Sequence, residues 1–516
     1  MQKTFKNEPF TDFSDAKNVK KMTEALAKVR ANLNQEYPLI ILGDKVKAQS
    51  TFPSLNPANT KEIVGVFQDA DETLTHQAIE AAAITFETWK ETQPKDRAQM
   101  LFKLAHLMQN KKFELASWLV IEAGKSWPEA DGETAEAIDF CNYYAHEMIR
   151  LSEPPQLTKV KFEKNELVYL PLGVGAIISP WNFPLAIFAG MTVSAVVTGN
   201  TVVAKPSEYA PTLGYQFMRF VKEAGIPPGV INFVTSQGSK IGEIMVKHPK
   251  VRFISFTGSK KVGLEINAEA SKIQPGQKWI KRVIAEMGGK DAIIVDRDAN
   301  LEDAATNVLS SAFGLQGQKC SACSRAIIDE SIYDEFQKKL LEKTKQIQMG
   351  DPSDPKTFVG PVISEAAIQK AKKYIEIGKK EGRLLTGGNF HLEKGYFLEP
   401  TVFGDVSPKA TIAQEEIFAP VLALIQAKDF NDALNIANDT EYGLTGSVYT
   451  NNASHKEMAK KKFHVGNFYI NRKCTGALVG VHPFGGFNLS GTNSKAGGPD
   501  YLKLFMQAKT ISERSS

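Results

Sequence analysis

The chain has 516 residues, enough for about two to four domains that each bury a core, and 42% of them are hydrophobic. Its 62 Lys and Arg residues against 58 Asp and Glu residues leave a formal net charge of only +4, which gives no electrostatic footprint for nucleic acid. We expect a cytoplasmic protein, because no signal peptide or membrane span is evident and four cysteines do not make a disulfide framework.

The first long element pattern is helical. Residues 72–150 are rich in Ala, Glu and Lys at helical spacing. The stretch "LSEPPQLTKVKFEKNELVYLP" follows, and after its prolines apolar and polar residues alternate. This alternation predicts two short strands around Lys164 and Asn165. A hairpin with no core of its own either packs on its own chain or pairs with another.

From residue 174 strands and helices alternate. The strands are predicted in "VGAIISP", "TVVAKP", "GVINFVTS" and "VRFISFTGS", and each precedes an amphipathic segment. Such alternation is typical of a parallel sheet covered on both faces, with ligands bound beyond the carboxyl ends of the strands. A second α/β series runs from about "VIAEMGG" to residue 465.

Two short motifs in the first series are compatible with phosphate or ribose binding, but each also has a plain structural interpretation. Gly258 and Ser259 lie where a strand gives way to a helix, which suits an anion or simply a serine N-cap. Lys205 and Glu208 follow a buried strand, where they can hold ribose hydroxyls or form a surface ion pair. Neither a Walker loop nor the full three-glycine dinucleotide fingerprint is present.

Cys320 and Cys323 stand at CxxC spacing in "QGQKCSACSR". A structural zinc site needs four close ligands, and Cys141 and Cys474 are far away in sequence, so we expect no metal. A thioredoxin-type pair opens a helix in a small domain, and the papain signature has an aromatic residue after the second cysteine, where this chain has Ser324. Two buried thiols without a chemical role remain an alternative.

A set of co-ordered blocks favours another interpretation. In order they are "SPWNFP", "KPSE", "FTGS", "IAEMGGK", "GLQGQKCSACSR", "EEIFAP", "NFYIN" and "HPFGGFNLSG". In this order the chain resembles the aldehyde dehydrogenase superfamily from about residue 40 to the end. Stretches such as "EAIDFCNYYA" and "TGALVGVHPFGGFNLSGTNSKAGGPDYL" are most similar to the members that oxidise L-glutamate 5-semialdehyde, the open form of 1-pyrroline-5-carboxylate, in proline degradation.

The resemblance implies a fold and a domain plan. The fold is α/β, with a doubly wound NAD-binding domain formed by residues 1–157 and 171–285 and an α/β catalytic domain formed by residues 286–465. Strands within 158–170 and 490–516 would form a flap that joins subunits into a homo-oligomer, at least a dimer. No nucleic acid or membrane partner is implied.

The resemblance also implies the chemistry. Cys320 would be the nucleophile that forms a thiohemiacetal and then a thioester. The side chain of Asn182 and the backbone N–H of Cys320 would stabilise the oxyanion, and Glu286 would act as general base for the hydrolytic water. Read without the family, Glu286 is an acid among apolar residues, which needs a partner or a function.

Two further groups of residues follow from the same resemblance. The NAD contacts would be Trp181, Lys205, Glu208, Gly238, Gly258, Ser259, Glu416 and Phe418. The substrate contacts would be Ser321, Gly476 and Ala477 at the α-carboxylate, Glu136 near the amine, and Phe183 and Phe484 against the methylenes. A flexible glycine turn and a solvated helix glutamate are the structural alternatives for the glycine and Glu136.

Three rival functions remain open at this point. One is an aldehyde dehydrogenase of another substrate class, and a second is a non-catalytic nucleotide-binding relative, which is expected to lack Cys320, Glu286 or Asn182. The third is a redox sensor built on Cys320 and Cys323. The thiol of Cys323 departs from the family pattern and puts resistance to oxidation in doubt.

Overall fold

The computed structural model of the protein describes residues 4–238 and 240–514. The helices are α1 Ala16–Arg30, α2 Glu72–Trp89, α3 Pro94–Asn110, α4 Lys112–Ala123, α5 Trp127–Leu151, α6 Ala186–Val197, α7 Thr212–Ala224, α8 Lys240–Lys247, α9 Lys260–Ala270, α10 Leu301–Phe313, α11 Tyr333–Thr344, α12 Glu365–Glu381, α13 Thr411–Gln414, α14 Phe430–Asn438 and α15 Ala453–Lys462. Short 3-10 helices span Gly314–Gly317, Glu330–Ile332 and Tyr501–Phe505. None of the helices in these ranges has the length and apolarity that a membrane crossing requires.

The strands are β1 Gln35–Tyr37, β2 Leu39–Ile41, β3 Asp44–Val46, β4 Thr51–Asn56, β5 Asn59–Gln68, β6 Glu163–Pro171, β7 Val174–Ile178, β8 Thr201–Lys205, β9 Ile231–Phe233, β10 Val251–Thr257, β11 Arg282–Glu286, β12 Asp291–Val295, β13 Cys323–Asp329, β14 Arg383–Thr386, β15 Phe390–His391, β16 Phe397–Leu398, β17 Thr401–Gly404, β18 Val421–Ala427, β19 Tyr442–Gly443, β20 Thr445–Tyr449, β21 Asn467–Ile470, β22 Phe487–Asn488 and β23 Met506–Arg514.

The first large sheet has the order β11-β10-β7-β8-β9-β2-β3. Its strands from β11 to β9 are parallel, and β2 and β3 extend it antiparallel. The predicted alternation of strand and helix from residue 174 is confirmed, because β7 to β10 alternate with α6 to α9. Strand β8 is buried along its whole length, as expected for a sheet with helices on both faces.

The second large sheet has the order β14-β17-β18-β13-β12-β20-β21. It is parallel except for β14, which pairs antiparallel with β17. Its edge strand β21 lies beyond residue 465, so this unit extends past the boundary predicted from the sequence. The first sheet likewise ends at Glu286, the last residue of β11. The two sheets therefore meet at the segment that joins β11 to β12.

A two-stranded arm stands apart from both sheets. Strand β6 pairs antiparallel with β23 over nine positions, from Pro171 with Met506 to Glu163 with Arg514. The predicted hairpin around Lys164 and Asn165 is wrong, because both residues lie within one continuous strand whose partner comes from the end of the chain. The C-terminal strand begins only at residue 506, well after residue 490.

Candidate active site

The carboxyl ends of β7, β8 and β10 lie at one edge of the first sheet, because these strands are parallel neighbours. Trp181 and Asn182 follow β7, Lys205 ends β8, and Gly258 follows β10. These residues therefore share the carboxyl-end edge of the sheet. Backbone N–H groups and the start of α9 face this edge, so it suits an anionic ligand.

Lys205 is buried, with 5% of its surface exposed. Its ammonium has one long contact, 3.5 Å to the carbonyl of Pro206. Burial lowers the pKa of Lys205, and the carboxylates of Glu208 and Asp69 offset part of that effect. A buried ammonium with so weak a partner is suited to a ligand's hydroxyl or phosphate oxygen.

The glycines at this edge have distinct roles. Gly238 has φ +63°, and open space surrounds the position where a side chain would begin. Gly258 donates its N–H to the carbonyl of Glu286 at 3.1 Å, which ties this edge to the end of β11. Ser259 is the N-cap of α9, with its hydroxyl 3.4 Å from the N–H of Val262. The serine therefore has the structural role of an N-cap, whether or not it also binds a ligand.

Glu416 and Phe418, in the segment between α13 and β18, come close to Trp181 of this edge. The rings of Trp181 and Phe418 meet edge to face, with centroids 5.5 Å apart. Phe418 adopts φ +60°, a left-handed conformation that costs free energy for a bulky residue and is often found at functional sites. The Glu416 carboxylate accepts the N–H of Gly289 at 3.2 Å, and a side chain at Gly288 would overlap this carboxylate.

Gly289 contacts both Glu416 and the backbone of Cys320. A Cβ at this position would overlap the carbonyl of Cys320, so the two backbones touch here. Glu416 and Cys320 therefore approach the same glycine from two sides. The absence of a side chain at residue 289 is required for that close approach.

The loop that carries Cys320 is strained and tightly held. Leu315 and Gln316, in the turn before it, both have positive φ values, 51° and 57°. The side chain of Gln316 donates to the carbonyl of Gly124 at 3.1 Å, and the side chain of Gln318 accepts the N–H of Ile363 at 3.0 Å. These bonds to distant segments fix the loop, so the half-buried thiol of Cys320 is presented in one position.

Asn182 is buried, with 6% of its surface exposed, and its amide nitrogen donates to the carbonyl of Gln318 at 3.0 Å. That carbonyl lies two residues before Cys320. One hydrogen of the amide group is used in this bond, and the other remains for an oxygen bound near the thiol. Asn182 therefore contacts the loop that carries Cys320.

The Cys320 thiol is in an environment that disfavours its ionisation. Burial raises the pKa of Cys320, and the carboxylates of Asp291, Glu286 and Glu416 raise it further. A thiolate here needs a proton acceptor or a positive charge at the time of reaction.

Glu286 is one of the carboxyl groups whose charge acts on the Cys320 thiol. Burial raises its pKa to about 7, although one carboxylate oxygen accepts both the hydroxyl of Ser494 at 2.5 Å and its N–H at 3.3 Å. The second oxygen is buried and has no hydrogen-bond partner among the described residues. A carboxyl group with a pKa near neutrality and one free oxygen is suited to general base catalysis.

Cys323 and Cys320 differ in their surroundings. The Cys323 thiol is 1% exposed at the start of β13 and lies against the thiol of Cys474. The thiol of Cys474 donates to the carbonyl of Ser321 at 3.4 Å, so a cysteine that is remote in sequence contacts the loop that carries Cys320. Sequence reasoning missed this contact, because nothing in the local sequence around residue 474 indicates it.

Among the predicted substrate residues, Ser321 belongs to the Cys320 loop, and Gly476 and Ala477 belong to a segment that contacts it. Ser321 is buried beside Cys320, and its carbonyl accepts a hydrogen bond from the thiol of Cys474. Gly476 and Ala477 follow Cys474 in the chain. Gly476 has φ +77°, so the turn there requires a residue that tolerates the left-handed region. Phe484 pairs with Ala496 through two backbone hydrogen bonds of 2.7 and 2.8 Å.

Glu136 lies in α5, and Phe183 lies in the segment between β7 and α6. Burial and the neighbouring acids Glu133 and Asp139 raise the pKa of Glu136 to about 8, and the charges of Lys125 and Lys319 oppose the shift. Glu136 is therefore half-buried and near Lys319, the residue before Cys320, and not a solvated surface glutamate. An ammonium group bound here would favour its ionised form.

Comparison with known proteins agrees with this geometry. Residues 45–511 match the aldehyde dehydrogenase family. The chain is 54% identical over 513 residues to 1-pyrroline-5-carboxylate dehydrogenase of Geobacillus thermodenitrificans (strain NG80-2), covering 99% of this chain and 100% of the relative. It is 53% identical over 513 residues, with the same coverage, to 1-pyrroline-5-carboxylate dehydrogenase of Bacillus subtilis (strain 168).

Among solved structures, 1-pyrroline-5-carboxylate dehydrogenase from Thermus with bound NAD superposes with a TM-score of 0.98 at 48% identity, over 99% of each chain. An NAD-dependent aldehyde dehydrogenase from Sinorhizobium meliloti is more distant, with a TM-score of 0.88 at 31% identity over 94% of this chain and 96% of that chain. The chain belongs to the aldehyde dehydrogenase family.

Proposed function

We propose that the protein oxidises L-glutamate 5-semialdehyde to L-glutamate with NAD as the oxidant, as in proline degradation. One observation carries the proposal: the buried amide of Asn182 donates to the Cys320 loop at Gln318, and the charge of Glu286, a buried carboxyl group with a pKa of about 7, acts on the Cys320 thiol. The names of the relatives described above support the choice of substrate. A non-catalytic relative has no use for this combination of groups.

The strand-end edge fits a dinucleotide. Lys205 has a buried ammonium with only a weak protein partner, and Glu208 lies close enough to influence its ionisation. Gly238 leaves open space at the same edge. We propose that Lys205 and Glu208 hold the adenosine ribose, that Gly238, Gly258 and Ser259 border the phosphates, and that Glu416, Phe418 and Trp181 hold the nicotinamide ribose and ring.

The reaction begins when Glu286, directly or through a water, takes the proton of Cys320, and the sulfur then bonds to the aldehyde carbon. The carbonyl oxygen becomes an oxyanion, which the amide of Asn182 and the backbone N–H of Cys320 stabilise. NAD, when bound, accepts the hydride from the former aldehyde carbon, and a thioester on Cys320 remains. Glu286 releases this first proton to solvent and then removes a proton from water; the water oxygen bonds to the acyl carbon, and the carbon–sulfur bond breaks to leave L-glutamate and the Cys320 thiolate.

The far end of the substrate carries an α-carboxylate and an α-ammonium group. We propose that the Ser321 hydroxyl and the N–H groups of Gly476 and Ala477 bind the carboxylate, because successive N–H groups at a left-handed turn form an anion site. Glu136 takes the ammonium group, and Phe183 and Phe484 pack on the methylenes. A site with these polar groups rejects an aldehyde that leaves them unpaired.

We further propose a homo-oligomer, at least a dimer, joined through the arm of β6 and β23. A two-stranded sheet is marginal in water on its own, and this one exposes Leu170 and Ile511, each 39% exposed. Phe162, just before the arm, is 69% exposed. We expect the protein to act in the cytoplasm, since all four cysteines are free.

The proposal is tested by product analysis. Purified protein is incubated with L-glutamate 5-semialdehyde and NAD, and L-glutamate is quantified by mass spectrometry beside NADH absorbance. Equal amounts of the two products are expected, and Cys320→Ala should yield neither. The proposal would be contradicted if the wild-type protein formed NADH without L-glutamate. It would also be contradicted if Cys320→Ala formed the two products in equal amounts.

A further inference from the structure

A fully buried ion pair lies beneath the segment that carries Asn182. The ammonium of Lys125 and the carboxylate of Glu133 are 2.5 Å apart, and both side chains are 0% exposed. Lys125 follows the left-handed Gly124 that ends α4, and Glu133 lies in α5. Removing two charges from water is costly, and a buried pair is often no more stabilising than apolar residues of the same volume. The pair therefore needs an explanation other than stability.

Each partner of this pair contacts residues 183–186. One oxygen of Glu133 accepts the N–H groups of Leu185 at 2.8 Å and Ala186 at 3.1 Å, where α6 begins. The ammonium of Lys125 lies 4.0 Å from the centroid of the Phe183 ring. A carboxylate at a helix N-terminus and a desolvated cation on an aromatic face are both strong contacts. Together these two contacts fix the backbone at Leu185 and Ala186 and the side chain of Phe183.

Asn182 immediately precedes the residues held in this way. Its amide nitrogen reaches the carbonyl of Gln318 at 3.0 Å, and its remaining N–H must point to where the oxyanion forms. A displacement of about 1 Å at such a donor lowers the rate by roughly 100-fold, because the donor has to match the transition state. The position of the amide depends on the backbone of Phe183 to Ala186.

We infer that Lys125 and Glu133 are positioning residues, which hold Asn182 in place as the oxyanion donor for Cys320. This inference rests on the proposed aldehyde oxidation through a cysteine adduct. The pair does not touch the reacting atoms. It acts through Phe183 and the start of α6.

The test compares two reactions of Cys320 that need no cofactor. Acylation by p-nitrophenyl acetate forms an oxyanion, whereas alkylation by iodoacetamide does not. Asn182→Ala is expected to slow acylation by roughly 100- to 1,000-fold and to leave alkylation unchanged. Lys125→Met should slow acylation by about 10-fold or more, with alkylation within about twofold of wild type.

Stability is separated from positioning by two more variants. Lys125→Met leaves a buried carboxylate without a partner, so the double variant Lys125→Met/Glu133→Gln, which removes both charges, should regain thermal stability yet still acylate slowly. Lys112→Met is the matched control, because Lys112 pairs with Asp131 of α5 at 3.1 Å, is largely buried, and has its other polar contacts in residues 8–11. It should acylate at the wild-type rate.

Acylation at the wild-type rate in both Lys125 variants, or an equal loss of alkylation and acylation, would overturn the inference. Wild-type protein that shows neither acylation nor aldehyde oxidation would instead contradict the proposed function. Acylation by wild type combined with no effect of Lys125→Met would leave the function standing and remove the positioning role.

Discussion

The hydroxyl of Ser494 sets the ionisation of Glu286, and its removal should change the pH dependence of turnover in a defined direction. In the structure this hydroxyl donates to Glu286 at 2.5 Å and lowers the pKa that burial raises. Ser494→Ala removes that donor and leaves the weaker N–H contact of 3.3 Å. The pKa of Glu286 should therefore rise further, and a higher pH should be needed to ionise the base.

The magnitude follows from the strength of the bond. A hydrogen bond to a charged group is worth about 1.5 to 3 kcal/mol, which corresponds to about one to two pH units. With the wild-type pKa of Glu286 at about 7, roughly half of the carboxyl is ionised at pH 7 and about a tenth at pH 6. In Ser494→Ala about a tenth or less should be ionised at pH 7, so turnover limited by thioester hydrolysis should fall about fivefold or more and recover near pH 9.

The assay measures kcat from about pH 5 to about pH 9 with saturating aldehyde and NAD. Wild type should lose activity close to tenfold per unit below pH 7, and the acid limb of Ser494→Ala should lie at higher pH. Ser490→Ala is the control, since the Ser490 hydroxyl accepts the N–H of Gly443 at 3.0 Å and is not a partner of Glu286. An acid limb that stays in place or moves to lower pH in Ser494→Ala would refute the assignment of Glu286 as the base.

Five other substitutions test separate parts of the account. Cys320→Ala should abolish aldehyde oxidation while Cys323→Ala keeps most of it, and equal losses in an activity assay would revive a disulfide role. Glu208→Gln should narrow the preference for NAD over NADP in kcat/KM, because a carboxylate accepts a hydrogen bond from a free 2′-hydroxyl and repels a 2′-phosphate. A wild-type protein that uses NAD and NADP equally well would contradict this role of Glu208. Gly288→Ala should raise the KM for NAD several-fold with little change in Tm, because the new methyl group displaces the flexible carboxylate of Glu416. An unchanged KM would exclude a contact between this carboxylate and NAD. Ser321→Ala should reduce the advantage of glutamate semialdehyde over pentanal in kcat/KM by roughly 10-fold, and an unchanged ratio would remove its hydroxyl from the carboxylate site.

Local pattern was sufficient for most of the fold. The alternation of apolar strands with amphipathic helices after residue 174 predicts β7 to β10 and α6 to α9, and the aldehyde dehydrogenase fold predicted from the motif blocks is confirmed. The arm was predicted wrongly, because the partner of β6 is a strand more than 300 residues away, and the alternation of one strand does not identify its partner. The antiparallel extension of the first sheet by β2 and β3 was missed for the same reason.

The candidate site shows the same division. The residues that carry the chemistry lie in recognisable blocks, and the structure brings Cys320, Asn182 and Glu286 to one place. Their supporting residues gave no sequence signal, because Ser494 and Cys474 act through contacts with segments remote in the chain. The roles assigned to the cofactor and substrate residues remain predictions that the experiments above address.

The central claim is that this site oxidises an aldehyde that carries an α-amino acid group. The most direct measurement is kcat/KM from NADH absorbance for L-glutamate 5-semialdehyde, butyraldehyde and pentanal, with the same enzyme preparation and NAD concentration. We expect glutamate semialdehyde to exceed both alkyl aldehydes by at least roughly 100-fold, since buried donors left unpaired cost much more than a missing methylene. Comparable values for a plain alkyl aldehyde would contradict the substrate assignment.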